Sequence, residues 1–180
     1  MYITDGTGKG YQQKVNQENM GVTLSYTHTF DHHANCTEQS SYSAVLSLTP
    51  DADSDFFYLK NTSDEIMIIT SLSLFSDSTE HVELYLNKSG TPVGGTDLTP
   101  VNRVSGCANT ADCVCKYGTP ITGLSGDDLV ERLVMNGQTE QKKYVWLSDI
   151  ILPKNTNIVL RSIYGAQLYW TLAFYFHICL

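Results

Sequence analysis

Gln167-Leu168-Tyr169-Trp170-Thr171-Leu172-Ala173-Phe174-Tyr175-Phe176-His177-Ile178-Cys179-Leu180 is the stretch whose reading decides the fold. Every even position from Leu168 to Leu180 is apolar, whereas the odd positions read Gln, Tyr, Thr, Ala, Tyr, His and Cys. Side chains of a strand point alternately to its two faces, so this spacing gathers the bulky groups on one side. On a helix the same residues would surround the axis. A long strand with one apolar face needs a second layer to cover it, and the rest of the chain is expected to supply that layer. The stretch is therefore read as the spine of a sandwich. Its other face, through Tyr169, Tyr175 and His177, is a candidate surface for packing against another subunit. Sugar stacking on Tyr169 and Tyr175 is the alternative use of the same rings.

Working back towards the N-terminus, strand follows strand. Ser43–Thr49 ends at Pro50, Phe56–Lys60 ends at the turn Asn61-Thr62-Ser63-Asp64, and Glu65–Phe75 ends at Ser76-Asp77-Ser78-Thr79. In the third of these, Ile66, Ile68, Leu72 and Leu74 are expected to share a face that is broken at Thr70. His81–Asn87 alternates with Val82, Leu84 and Leu86 inward. Asp128–Met135 fits a strand or a short helix, and its surroundings favour the strand. Tyr144–Leu152, stopped by Pro153, and Ile158–Tyr164 complete the series before the last stretch. Strands this short, separated by turn residues and with no clear helix, predict an all-β protein, an antiparallel β-sandwich of jelly-roll type occupying residues 41–180. Residues 1–40 show only one short strand, Val22–Thr27, among scattered glycines, and read as an extended N-terminal arm. Residues 88–125, rich in Gly, Pro and Thr, read as a long loop of the kind that is functional or ordered by a partner.

Composition narrows the function classes. The chain has 180 residues, a formal net charge of -8, and 42% hydrophobic residues. Its mean hydropathy of -0.16 and pI near 4.9 fit a soluble globular domain. Such acidity argues against direct nucleic-acid binding, because Lys142-Lys143 and Lys9 with Lys14 are too sparse to track phosphates. The start Met1-Tyr2-Ile3-Thr4-Asp5-Gly6 has neither the basic residues nor the apolar run of a secretory signal. The last stretch is too short, and too strictly alternating, to be a membrane anchor. No membrane or nucleic-acid partner is expected.

Candidate chemistry is sparse. Asp5-Gly6-Thr7-Gly8-Lys9-Gly10 superficially resembles a phosphate-cradling loop but lacks a preceding strand, a following helix and the Gly-Lys-Ser/Thr ending. His28, Asp31, His32, His33, Cys36 and Glu38 form the densest group of metal-ligand types. Cupin metalloenzymes would need a His-x-His pair and a later histidine, and neither occurs; a polar loop is the plainer explanation. Cys107, Cys113 and Cys115 have no familiar zinc spacing, and a disulfide of Cys107 with Cys113 or Cys115 is possible alongside inert thiols. No Gly-x-Ser-x-Gly elbow or defensible Ser-His-Asp order is present. No catalytic residue, metal or cofactor is expected.

Asp5-Gly6-Thr7-Gly8-Lys9-Gly10-Tyr11, Lys14-Val15-Asn16, His33-Ala34 and Phe57-Tyr58-Leu59-Lys60-Asn61 resemble a group of tailed-bacteriophage virion structural proteins. The similarity covers about the first third of the chain and rests on short structural motifs; the cysteine and histidine groups lie outside it. It implies a jelly-roll capsid decoration or cement protein with no enzymatic activity, sited on the capsid surface of a particle assembled in the host cytoplasm. The implied partners are the major capsid protein or other virion proteins, with a homo-oligomer, dimer or trimer, on the particle. The arm residues Tyr2, Ile3, Asp5, Gly6, Gly8, Gly10 and Tyr11 are the candidates for that contact, since an arm ordered on assembly buries much surface for its length. A receptor- or glycan-binding module of a tail, neck or fibre, and a metal-dependent cupin-like enzyme, are the competing functions.

Overall fold

The computed structural model describes residues 2–4, 12–14, 39–126, 128–137, 144–145 and 150–177. All regular elements among them are strands. They run β1 (Tyr2–Thr4), β2 (Gln12–Lys14), β3 (Ser41–Leu48), β4 (Ser54–Asn61), β5 (Ile66–Ser76), β6 (Thr79–Leu86), β7 (Ser89–Val93) and β8 (Thr96–Asp97). There follow β9 (Val101–Asn102), β10 (Cys113–Ser125), β11 (Leu129–Asn136), β12 (Tyr144–Val145), β13 (Ile150–Leu152), β14 (Asn157–Ser162) and β15 (Leu168–His177). No helix among the described residues is long and apolar enough to cross a membrane.

The strands form two antiparallel sheets packed as a β-sandwich. A seven-stranded sheet has the order β11-β6-β14-β4-β10-β7, with β8 also on β10, and a six-stranded sheet has the order β12-β5-β15-β3-β9, with β13 also on β5. The strand of the opening stretch, β15, lies between β3 and β5, bonded along its length to both. Leu168, Trp170, Leu172, Phe174 and Phe176 are all buried, as the alternation predicts. Trp170 stands edge-on to Phe57 of the other sheet at 4.3 Å, and within its own sheet Phe174 stacks with Tyr42 at 5.7 Å. Each such side chain contributes about 1.5–3 kcal/mol of burial, so the seam between the sheets carries most of the stability.

Two bulges set which residues join that core. The ladder of β15 with β5 shifts between Ala173 and Phe174, so Phe174 pairs with Ile69 where an unbroken register would give Thr70. An extra residue flips the parity of everything beyond it. Met67 and Ile69 therefore share the inward face with Leu72 and Leu74, and Ile66 and Ile68 turn outward, which corrects the expectation that 66, 68, 72 and 74 lie together. A second shift, between Leu160 and Arg161 on β14 against β4, lets the adjacent residues Phe56 and Phe57 both reach the core.

Residues 88–125 are not a structureless loop, another correction. They hold β7, β8, β9 and β10, and their glycines permit backbones to approach where side chains could not. At Gly90 (φ 109°) a Cβ would sit 2.2 Å from the Gly123 carbonyl oxygen. The first part of β10 extends the seven-stranded sheet beside β4, its end pairs with β7, and β9 attaches to β3 in the other sheet. The insertion so borders both layers. It also covers a smaller apolar cluster of Tyr58, Tyr85, Ile121 and Val159, with Leu124 against it. Lys88, where the insertion begins, lies 4.2 Å from the centre of the Tyr85 ring and reaches Asp55 Oδ1 and Oδ2 at 3.0 and 2.9 Å.

Near the N-terminus β1 and β2 pair with each other, Tyr2 opposite Lys14, as a separate two-stranded sheet. The remainder of the proposed arm, including Val22–Thr27, lies outside the described residues, as do 146–149 of the expected strand at 144–152.

The chain passes from one sheet to the other at the β14–β15 turn, and Glu80 holds that turn. Its buried carboxylate accepts hydrogen bonds from the backbone N–H groups of His81 (2.8 Å), Ile163 (3.1 Å), Tyr164 (3.0 Å) and Ala166 (2.7 Å), and from Ser162 Oγ (2.9 Å). Charge-assisted bonds of this kind are strong, and an unsatisfied buried N–H costs about 1–3 kcal/mol. Glu80→Gln, which puts a donor where an acceptor stood, is expected to lower unfolding stability by about 2–4 kcal/mol in a urea titration with an unchanged m-value.

Candidate interaction surface

The outward face of the six-stranded sheet follows from the ladders. One row reads Ser47–Tyr169–Phe75, the next Val45–Thr171–Ser73, the next Val101–Ser43–Ala173–Ser71 and the next Ser41–Tyr175–Ile68–Ile151, with His177 and Ile66 beyond. None of these positions carries a charged side chain, in a chain of net charge -8. Val45 (67%), Val101 (68%), Ile151 (55%) and Tyr169 (46%) are exposed. Ser41, Ala173 and Tyr175 are buried, so the face is open chiefly around Val45 and Tyr169. There the Tyr169 ring lies 5.8 Å from that of Phe75, forming a ridge. The two rings help to line a hollow of about 480 Å3, whose wall also includes Val45, Ser47, Ser73 and Thr171 and the core-facing Leu46, Leu74 and Trp170.

The outward face of the seven-stranded sheet is its opposite. Arg132 Nε donates to Glu83 Oε1 at 2.9 Å, the Tyr85 hydroxyl donates to Glu83 Oε2, and Arg161 Nη2 contacts Asp53 Oδ1 at 2.9 Å. Lys88–Asp55 and Lys116–Asp97 add two further ion pairs to that sheet. Burial alone would raise the Glu83 pKa; the Tyr85 hydroxyl and the Arg132 guanidinium outweigh it and hold the carboxyl below its ordinary range. One sheet carries ion pairs on its outer side, and the other is uncharged in these rows and partly open.

The predicted site residues fall out as follows. Of Tyr169, Tyr175 and His177, only Tyr169 is exposed; Tyr175 is buried and His177 half-buried, so the candidate packing face shifts towards Val45, Phe75 and Thr171. The parity of β15 alone could not show which end of its outer face is covered. Cys107, Cys113 and Cys115 are unbonded thiols in this structure. Alternation along β10 sends Cys115 into the core, with Cys113 packed against it. Half-buried Cys107 donates to Gln39 Oε1 at 3.2 Å and accepts from the Asn109 N–H at 3.4 Å. Burial, with Asp112 adding, pushes the Cys113 thiol up to about 12, and burial with Cys113 nearby raises Cys115 as well. Of the arm residues, Tyr2 and Ile3 lie in β1. Asp5, Gly6, Gly8, Gly10 and Tyr11 lie outside the described residues, as do His28, Asp31, His32, His33, Cys36 and Glu38. Among the described residues no group of three or more His, Cys, Asp or Glu is placed to hold a metal ion.

Two measurements check this electrostatic and thiol picture. Because the folded Glu83 pKa is depressed below its ordinary 4.5, its stabilisation is present above that value and lost as pH falls through the lower folded one. The acid limb of a stability–pH curve is accordingly expected to be shallower in Glu83→Gln than in the wild type. Iodoacetamide with peptide mapping is expected to label Cys107 in the native protein and to spare Cys113 and Cys115 until denaturant is added. Compared with known proteins, the chain matches no family model, no curated protein and no solved structure.

Proposed function

We propose that the chain is a non-enzymatic structural protein of a viral particle, a capsid decoration or cement protein that binds and stabilises a lattice of major capsid protein. The observation supporting this is the order β3–β15–β5–β13 in one sheet and β4–β14–β6–β11 in the other. Taking those eight strands in chain order, the first lies beside the last, then the third and sixth; opposite them lie the second, seventh, fourth and fifth. That order supports the jelly-roll reading, an architecture built from two Greek keys and used by viral capsid domains.

Lectin and cupin domains use the same architecture, so the fold by itself does not choose. Around Tyr169 the face offers aromatic rings and no charge, two features of protein interfaces, although its serines are not of the enriched type. The acidic remainder keeps such a protein soluble before assembly. The resemblance of Asp5–Tyr11 and Phe57–Asn61 to tailed-phage virion proteins supports the same reading.

Quantitative mass spectrometry of particles banded and washed from an infected culture tests the proposal. The polypeptide is expected at a fixed ratio to the major capsid protein, one that matches a symmetry element of the shell. Its loss on washing, or its absence from intact particles, would overturn the assignment.

A further inference from the structure

We infer that Asn136 is a site of spontaneous covalent modification, at which the Gly137 amide nitrogen attacks the Asn136 side chain and isoaspartate forms at the edge of the seven-stranded sheet. The inference does not rest on the virion reading, since it concerns the chain alone.

Asn136-Gly137 is the only Asn-Gly step in the sequence. Asn136 is exposed and is the last residue of β11, which is paired among the described residues with β6 alone. Its carboxamide makes no hydrogen bond to any described residue. Gly137 has φ 61°, and a Cβ there would lie 2.3 Å from Ser78 Cα and 2.8 Å from the Thr79 nitrogen. The close approach of the two backbones therefore requires glycine. The same missing Cβ leaves the Gly137 nitrogen unshielded, so the packing itself keeps the reactive step in place.

The other described asparagines are protected in one of two ways. Asn61, Asn102 and Asn157 spend their carboxamides on the carbonyls of Leu152, Gln39 and Lys88, at 2.8, 2.8 and 2.9 Å. Asn87, Asn109 and Asn155 precede Lys, Thr and Thr, whose side chains shield the next nitrogen.

The reaction needs only water. The deprotonated Gly137 nitrogen bonds to Asn136 Cγ, the bond from Cγ to Nδ2 breaks, and Nδ2 leaves as ammonia, taking up the proton the amide lost. Water then opens the cyclic succinimide. Cleavage at Cγ restores the ordinary main chain as aspartate; cleavage at the Asn136 carbonyl carbon routes the main chain through Cβ and Cγ, as isoaspartate. Both products add a negative charge to a chain of net charge -8, but only isoaspartate lengthens the main chain. The extra carbon falls where Gly137 lies against Ser78, next to buried Met135, which pairs with Glu80. That contact has no room for it, so the end of β11 is loosened from β6.

Peptide mapping of the native full chain, held at neutral and at mildly alkaline pH and sampled over days, is the test. Position 136, in the tryptic peptide 133–142, is expected to convert many-fold faster than any other described asparagine, and faster at the higher pH. The converted protein is expected to unfold at a lower urea concentration than fresh protein. Asn136→Ser abolishes both the conversion and the drift in midpoint. Asn136→Gln, whose longer side chain cyclises slowly, repeats the result should the serine variant fold poorly by circular dichroism. Freshly made Asn136→Asp carries the charge without the longer main chain and keeps the wild-type midpoint. An Asn136 that converts only after denaturant is added, or no faster than Asn87 and Asn109, would overturn the inference. So would an equal drift in Asn136→Ser, or a loss in Asn136→Asp as large as in the converted wild type.

Discussion

The alternation of side chains along β15 is the constraint on which the rest of this structure depends. The strand is bonded on both sides, to β3 and to β5, so its register is held twice over. A slip of one residue on either side would carry Trp170, Leu172 and Phe174 into water and bring Tyr169 and Thr171 into the core. Every neighbouring element is fitted to that choice. Tyr42, Ala44, Leu72 and Leu74 stand on the same side as the even residues of β15, and Phe56, Phe57, Ile158 and Leu160 meet them from the other sheet. The parity flip at Thr70 serves the same end, returning Met67 and Ile69 to the seam after the ladder gains a residue. Glu80 then holds the turn through which the chain arrives at β15, so the central strand is constrained along its length and at its entry.

How much of this is legible in the sequence depends on whether the cause is local. The pattern of β15, and of β6 with Val82 and Leu84 inward, is local, and alternation shows it directly. The bulge at Thr70 is visible only as a break; which way parity runs beyond it is decided by the partner strand. β10 is hidden because Gly118, Pro120 and Gly123 punctuate it, and these mark a loop unless the strand they border is known. Glu80 carries no signal, since a glutamate beside a histidine near a turn looks solvated until the turn at 163–166 closes over it. The uncharged face is half legible: the odd residues of β15 announce it, but Val45, Phe75 and Ser73 join it only through the ladders.

The two outward faces also divide the molecule's dealings with its surroundings. On the seven-stranded sheet, charges such as Glu83, Arg132, Asp55 and Lys88 are neutralised in place, several of them buried, and the insertion at 88–125 packs over the remaining apolar cluster. That side also exposes Val114 on β10 and Leu129, Val130 and Val134 on β11. The six-stranded sheet keeps hydroxyls and a few large apolar groups in the open, with no ion pair to break on contact. Covering such a face breaks no ion pair, but each hydroxyl that loses water there needs a new hydrogen-bond partner.

The central claim is that adjacent residues of β15 serve different ends, the even face holding the fold and the open end of the odd face standing outside the core. Paired measurement of unfolding free energy on Leu172→Ala and Thr171→Arg tests it most directly. The account predicts that Leu172→Ala loses about 2–5 kcal/mol of stability. Thr171→Arg should keep nearly all of its stability. Equal losses of stability in both variants would contradict it.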